Sequence, residues 1–336
     1  MIFSPLGKIY GAVINARNAF YDRGVFASHA LGAKTISIGN ITVGGTGKTP
    51  LVAFVAETLF QSGEKVCILT RGYGRKNPKE RVVVTDGEKI LADAKYAGDE
   101  PFELAEKLLG KAIIIADPDR VSAGLWAREK FGITRFVLDD AFQHRKVKRD
   151  LDIVCVDATK PFGNKKVLPS GILREPLENL KRADAVVITR SNLAENLENL
   201  KSEISKYSAA PIYISHNKFS NFTEINNQKT TQHSALSTRH SLAFCALGNP
   251  NNFFEQLRRE NFNLTATEVF PDHHFYSPED VEKIEKKASV TGAEILITTA
   301  KDAVKLKHLK ISFPVFTAEN EIIFKNEKEF VKLLLS

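Results

Sequence analysis

From residue 34 onward the chain alternates short, unbroken apolar runs with longer stretches of helical periodicity. No other feature limits the fold as much. The apolar runs fall at 34–39, 65–70, 81–84, 111–116, 135–139, 152–157 and 183–189, with helical patterns at 48–61, 99–109, 119–131 and 193–207. Strands that lack polar alternation suit a parallel sheet covered on both faces. Strands alternating with helices read as βαβ units. The first stretch, about 210 residues, is therefore expected to form one doubly wound, mostly parallel α/β domain. A polar segment at 220–241, rich in Asn, Thr and Ser, follows as a connector with a short hairpin. Beyond it, strands at 242–247, 263–270, 294–299 and 314–316 and helices at 251–259, 278–290 and 327–335 predict a second, smaller α/β domain. The expected division is 1–30, 31–219, 220–241 and 242–336.

Residues 1–30 are different. Ile2, Phe3, Leu6, Ile9, Tyr10, Val13, Ile14 and Phe20 recur every three to four positions, the mark of a helix with an apolar stripe. Lys8, Arg17, Arg23 and Lys34 face a single acid, Asp22. Such a basic amphipathic helix can lie on an anionic bilayer, or its apolar side can pack on the domain core. The whole chain carries 47 Lys and Arg against 40 Asp and Glu, a net +7 that suits an anionic partner without choosing one. No apolar run is long enough to span a bilayer. Cys67, Cys155 and Cys245 sit inside apolar runs with no CxxC spacing. They are expected to be buried thiols rather than disulfides or zinc ligands.

Chemistry concentrates in a few segments. Thr42, Val43, Gly44, Gly45, Thr46, Gly47, Lys48 and Thr49 lie between a predicted strand and a predicted helix. This is the context of a P-loop, whose backbone N–H groups and helix N-terminus cradle phosphates. Lys48 would reach the terminal phosphates of ATP and Thr49 would ligate Mg²⁺. The opening position, ordinarily glycine, is Thr42. An apolar strand ending in Asp139 and Asp140 fits a Walker-B carboxylate near that cation. Asp99 and Glu100 before a helix could be caps or site acids. Asp272-His273-His274 offers two imidazoles pointing in different directions. The run Gln143-His144-Arg145-Lys146-Val147-Lys148-Arg149 could meet a phosphorylated acceptor or stay a solvated loop. Tyr73 and its flanking arginines follow a strand at the same sheet edge, where ligands of such folds bind. A nucleotide-hydrolysing switch with no small acceptor would carry the same loop.

Taken together, SIGNITVGGTGKTP (37–50), TRGYGR (70–75), GDEP (98–101), DPDR (117–120), LDDAFQH (138–144), RDLDIVCVD (149–157), LREP (173–176), LGNP (247–250), PDHH (271–274) and TTAKDAVKL (298–306) resemble the tetraacyldisaccharide 4′-kinase family over nearly the whole chain. A loop opening on Thr fits this family, whereas Ala141 stands where the family usually has Gly. The resemblance implies ATP- and Mg²⁺-dependent transfer to the 4′-hydroxyl of the lipid A disaccharide 1-phosphate. It implies Asp99 acting with His273 at that hydroxyl, and Thr49, Asp139 and Glu175 near the metal. Tyr73, Arg120, Asp140, Gln143, His144 and Arg174 would lie toward the acceptor, and the smaller domain would close over the site. The N-terminal helix would sit on the anionic cytoplasmic face of the inner membrane. No nucleic acid or obligate protein partner is expected.

Overall fold

The computed structural model describes residues 4–225, 227, 230–272 and 274–336. Ile2, Phe3 and His273, named above, lie outside the described residues. The chain divides into two compact units, Met1–His216 with Ile323–Ser336, and Asn217–Ile322.

The elements of the first unit begin with α1 (Ser4–Asp22), β1 (Lys34–Asn40), α2 (Lys48–Gln61), β2 (Val66–Thr70) and β3 (Val82–Thr85). Then come α3 (Ala94–Ala97), α4 (Asp99–Lys107), β4 (Ala112–Ala116), α5 (Arg120–Phe131), β5 (Arg135–Asp139), β6 (Leu151–Asp157), β7 (Ala185–Thr189) and α6 (Leu197–Ser205). β8 (Ile212–Glu224) starts in this unit and ends in the other. The strand order is β8-β7-β6-β1-β5-β2-β4-β3. Every pairing is parallel except that of β3 with β4. β2, β4 and β7 are buried at every position, which is why they read as continuous apolar runs. Asp119 caps α5 and Asn196 caps α6 through their side chains, and both helices start within a few residues of the expected place.

The second unit adds β9 (Thr230–Gln232), α7 (His233–Leu236), β10 (Ser241–Cys245), α8 (Pro250–Arg259), β11 (Leu264–Val269), α9 (Pro278–Thr291), β12 (Ile295–Thr299), α10 (Ala300–Leu306) and β13 (Val315–Phe324). Its strands run β11-β10-β12-β13, all parallel. Last comes α11 (Glu327–Leu335), which rejoins the first unit.

Two expected boundaries move. The segment 220–241 is no mere connector. β9 pairs antiparallel with the end of β8, as a hairpin should, and Phe222 and Leu236 lie in the core of the second unit. The stretch 323–336 leaves the second unit for the first because Phe330 is an aromatic core residue there. Its ring stacks on Phe324 at 4.5 Å and meets Tyr213 at 4.9 Å and Phe54 at 6.2 Å. The three cysteines are buried and unpaired, as expected. Among the described residues no helix is long and apolar enough to cross a membrane.

α1 docks with its small residues inward. A Cβ on Gly7 would come within 2.6 Å of the Ser170 hydroxyl, and one on Gly11 would touch Val167 and Pro176. Asn18 is buried and donates to Glu175 Oε2 at 2.8 Å. Tyr10 donates its hydroxyl to the Arg174 carbonyl. The apolar residues look outward, with Leu6 51%, Ile9 61% and Val13 60% exposed and Phe20 also exposed.

Candidate active site

The glycine-rich loop leaves β1 at the carboxyl edge of the sheet and enters α2. Gly47 takes the left-handed conformation (φ 77°, ψ 23°) as the residue before the helix, a turn glycine makes without steric cost. Thr42 sits at the opening position because it makes an antiparallel bridge with Leu173 instead of a left-handed turn. The LREP segment thus backs the loop. Val43 N donates to the Ile172 carbonyl at 2.8 Å, and Arg174 N donates to the Ile41 carbonyl at 2.7 Å. From the other side, Thr189 Oγ1 donates to the Thr46 carbonyl at 2.8 Å, and Arg190 donates to the Gly45 carbonyl at 2.8 Å while pairing with Asp157. Asn40 Nδ2 holds the Thr42 carbonyl at 2.8 Å. The loop is therefore braced before any phosphate arrives.

Lys48 lies in the first turn of α2 with Nζ 3.4 Å from Asp140 Oδ1. Arg174 Nη1 donates to both Asp140 oxygens, at 2.8 and 2.9 Å. Arg120 is buried, and its Nη1 lies 3.4 Å from the Asp140 carbonyl. Burial raises the Asp140 carboxyl, but Lys48, Arg174 and Arg120 outweigh that and hold it down to about 2. Asp139 goes the other way. Burial, then the neighbouring Glu100 and Asp140 charges, push it up to about 6 against Lys48 and Arg120. Its Oδ2 accepts from Thr70 Oγ1 at 3.0 Å. The left-handed backbone in this turn falls on Asp140 (φ 48°) and not on the next residue. Ala141 is buried and donates its N–H to the Ile38 carbonyl, so the missing glycine costs the turn nothing.

Asp99 is buried at the start of α4, and the helix cap is Gly98, not Asp99. Gly98 has φ 93°, and a Cβ there would strike the Tyr73 carbonyl at 2.8 Å. The GDEP and TRGYGR loops are thereby packed backbone to backbone. This brings Glu100 within electrostatic reach of Asp139. Tyr73 is 76% exposed.

The remaining expected residues divide. His144 is half-buried, and burial followed by the Arg120, Arg149, Lys146 and Arg71 charges pulls it down to about 4. Gln143 donates to the Asn40 carbonyl at 3.0 Å and so props the loop. Two cations of the basic run are engaged internally. Arg145 pairs with Asp22 and the Asn18 carbonyl, and Arg149 with Asp152. Glu175, expected beside the metal, is instead fully buried against Asn18, Arg182 (2.9 Å) and Arg17 (3.5 Å). It anchors α1. His274 is committed to Asp280 at 2.8 Å and stacks on Phe270.

Sequence reasoning assigned no role to Thr70, Thr189 or Arg190. The signal was there: two apolar strands, CILT and VVIT, end in threonine at the same sheet edge.

A family model for tetraacyldisaccharide-1-P 4′-kinase matches residues 1–336. The chain belongs to the tetraacyldisaccharide 4′-kinase family. It is 40% identical over 305 residues to the tetraacyldisaccharide 4′-kinase of Geobacter metallireducens, covering 91% of this chain and 88% of that one. It is 36% identical over 317 residues to that of Desulfotalea psychrophila, covering 94% and 90%. The crystal structure of Aquifex aeolicus LpxK in complex with ATP superposes with a TM-score of 0.81 at 32% identity, over 99% of this chain and 97% of that one. Family membership accounts for the co-occurrence of a braced phosphate loop, a strand-end acid pair and the GDEP turn in one chain.

Proposed function

We infer that the chain transfers the γ-phosphoryl group of ATP to the 4′-hydroxyl of tetraacyldisaccharide 1-phosphate, giving lipid IVA and ADP. The observation that carries this reading is Lys48 at the mouth of a braced glycine loop beside Asp139 and Asp140, in a chain of this family. Phosphoryl transfer through a loose transition state needs placement and charge neutralisation more than a strong base. The loop amides and Lys48 hold the terminal phosphate. Arg120 and Arg174, already gathered at Asp140, balance the acids on the acceptor side. Asp99 orients the sugar hydroxyl and takes its proton as the new P–O bond forms and the bond to ADP breaks. Tyr73 and His144 line the acceptor side.

The residues fit a magnesium ion. Asp139 is buried among like charges that a cation would relieve, and Thr49 stands in the first turn of α2. Among the described residues no group of three or more His, Cys, Asp or Glu could hold a metal. Thr49 and Asp139 would therefore share the ion with phosphate oxygens. When bound, it would neutralise charge on the transferring phosphate. Glu175 is left out of this set because its fully buried carboxylate is held at Oε2 by Arg182 and Asn18 and faces Arg17 at Oε1.

The outward apolar side of α1, with Lys8 and Arg23 nearby, supports peripheral attachment to the anionic cytoplasmic face of the inner membrane, where the acyl chains of the acceptor reside. The test of the whole reading is transfer of label from γ-labelled ATP to the disaccharide. Lys48→Ala and Asp99→Ala should each lower turnover at least about a hundredfold with an unchanged thermal midpoint. Full turnover in Asp99→Ala would remove the assigned base, and ATP hydrolysis without labelled lipid would favour a nucleotide switch.

A further inference from the structure

The carbonyls of Gly45 and Thr46 are both taken by side chains at the end of β7. Arg190 Nη1 donates to the first and Thr189 Oγ1 to the second, each at 2.8 Å. The same Nη1 pairs with Asp157, whose side chain is only 6% exposed. Asp157 Oδ1 in turn accepts from Thr159 N at 3.0 Å and from Thr159 Oγ1 at 2.8 Å. The Ala158 N–H donates to the Thr189 carbonyl at 3.0 Å. The turns that follow β6 and β7 are thus locked together beside the glycine-rich loop. Arg190 also takes the left-handed backbone conformation (φ 53°, ψ 35°). A residue with a Cβ adopts it at a cost, and such strain clusters where function uses it.

The direction of these two peptides matters because carbonyl and N–H point opposite ways across a trans peptide. The Gly45 carbonyl faces Arg190, so the Thr46 N–H faces away from it. The Thr46 carbonyl faces Thr189, so the Gly47 N–H faces away from that residue. Among the described residues neither N–H has an acceptor, and the buried Thr46 hydroxyl has no partner. Two amides and a hydroxyl are therefore left for a ligand, a donor set that suits an anion. We infer that Arg190, anchored by Asp157, is a positioning residue that sets the Gly45–Thr46 peptide in its phosphate-binding orientation. Without it the peptide is free to turn over, because a Cβ on Gly44 or Gly45 would find no atom within 4 Å. This role rests on the reading of the loop as an ATP site.

The experiment measures MgATP binding to the full chain by titration calorimetry without acceptor, and separately the transfer of label from γ-labelled ATP to the disaccharide. Wild type is compared with Arg190→Met, Arg190→Lys, Asp157→Asn and the Arg190→Met/Asp157→Asn double variant. Arg190→Met loses a charge-assisted hydrogen bond, so it is expected to weaken MgATP binding about tenfold. The KM for ATP should rise by a similar factor while the KM for the disaccharide stays unchanged. One nitrogen makes both contacts of Arg190, and a lysine ammonium also carries several donors, so Arg190→Lys should return to within about threefold of wild type. Arg190→Met leaves the Asp157 carboxylate covered without its cation, which lowers the thermal midpoint of the ligand-free chain. The double variant removes that charge, so it should regain thermal stability but not affinity. An affinity of Arg190→Met within about twofold of wild type, or recovery of affinity together with stability in the double variant, would overturn the positioning role. A wild-type chain that binds MgATP but labels no lipid would overturn the kinase reading and leave this role standing. A wild-type chain with no affinity for MgATP would overturn both.

Discussion

Asp139 and Asp140 are neighbours with opposite electrostatics, and the difference comes from which of them meets cations. Asp140 is gripped by Arg174 and approached by Lys48, whereas Asp139 has a hydroxyl and further acids around it. The pair was legible as a strand-end motif, but the division was not. Arg174 and Arg120 are 34 and 20 residues away in sequence and arrive only through the fold. The contacts of Glu175 with α1 were hidden for the same reason, since Asn18 lies 157 residues distant. His144 gives a pH prediction. Its folded pKa, about 4, lies below the unfolded value of 6.5, so between these values the unfolded chain binds more protons. Stability is complete above about 6.5 and falls as pH drops toward 4. His144→Gln should flatten the fall in thermal midpoint between pH 7 and pH 4.5, measured by calorimetry on the ligand-free chain. An unchanged slope would count against the half-buried neutral imidazole.

The strands buried on both sheet faces and the long helices were legible because such burial leaves unbroken apolar runs, and β5 and α2 begin and end at the expected residues; β8, whose burial is interrupted along its length, was not among the expected strands. α10 was missed. It has seven residues and follows β12 with no intervening linker, so strand and helix signals merge. In α1 the period was legible but not the direction it faces. Spacing alone favours an inward apolar stripe, yet Gly7 and Gly11 make the close approach that a larger residue would block. The exposed stripe supplies the membrane prediction. A Leu6→Ser/Ile9→Ser/Val13→Ser variant should sediment with vesicles containing anionic phospholipid at least about tenfold less well than wild type, since each buried apolar side chain is worth about 1.5–3 kcal/mol. The docking contacts of Asn18 and Tyr10 should keep its thermal midpoint unchanged. Equal sedimentation would assign attachment to another surface.

At the scale of the whole molecule, the first unit is discontinuous in sequence, with the second inserted between His216 and Ile323. No local pattern could disclose this, because it depends on Phe330 meeting Phe54 and Tyr213 across long stretches of chain. Phe330→Ala should cost about 3–5 kcal/mol, and the loss should fall on the unfolding transition that magnesium and ATP shift upward. A loss confined to a transition indifferent to nucleotide would place α11 with the second unit instead. The arrangement also bears on synthesis. A chain leaving the ribosome N-terminus first makes the phosphate loop early, but the aromatic partner of α2 is translated only after the whole inserted unit. Phe54 therefore lacks this aromatic cover until the closing segment of the first unit has been translated.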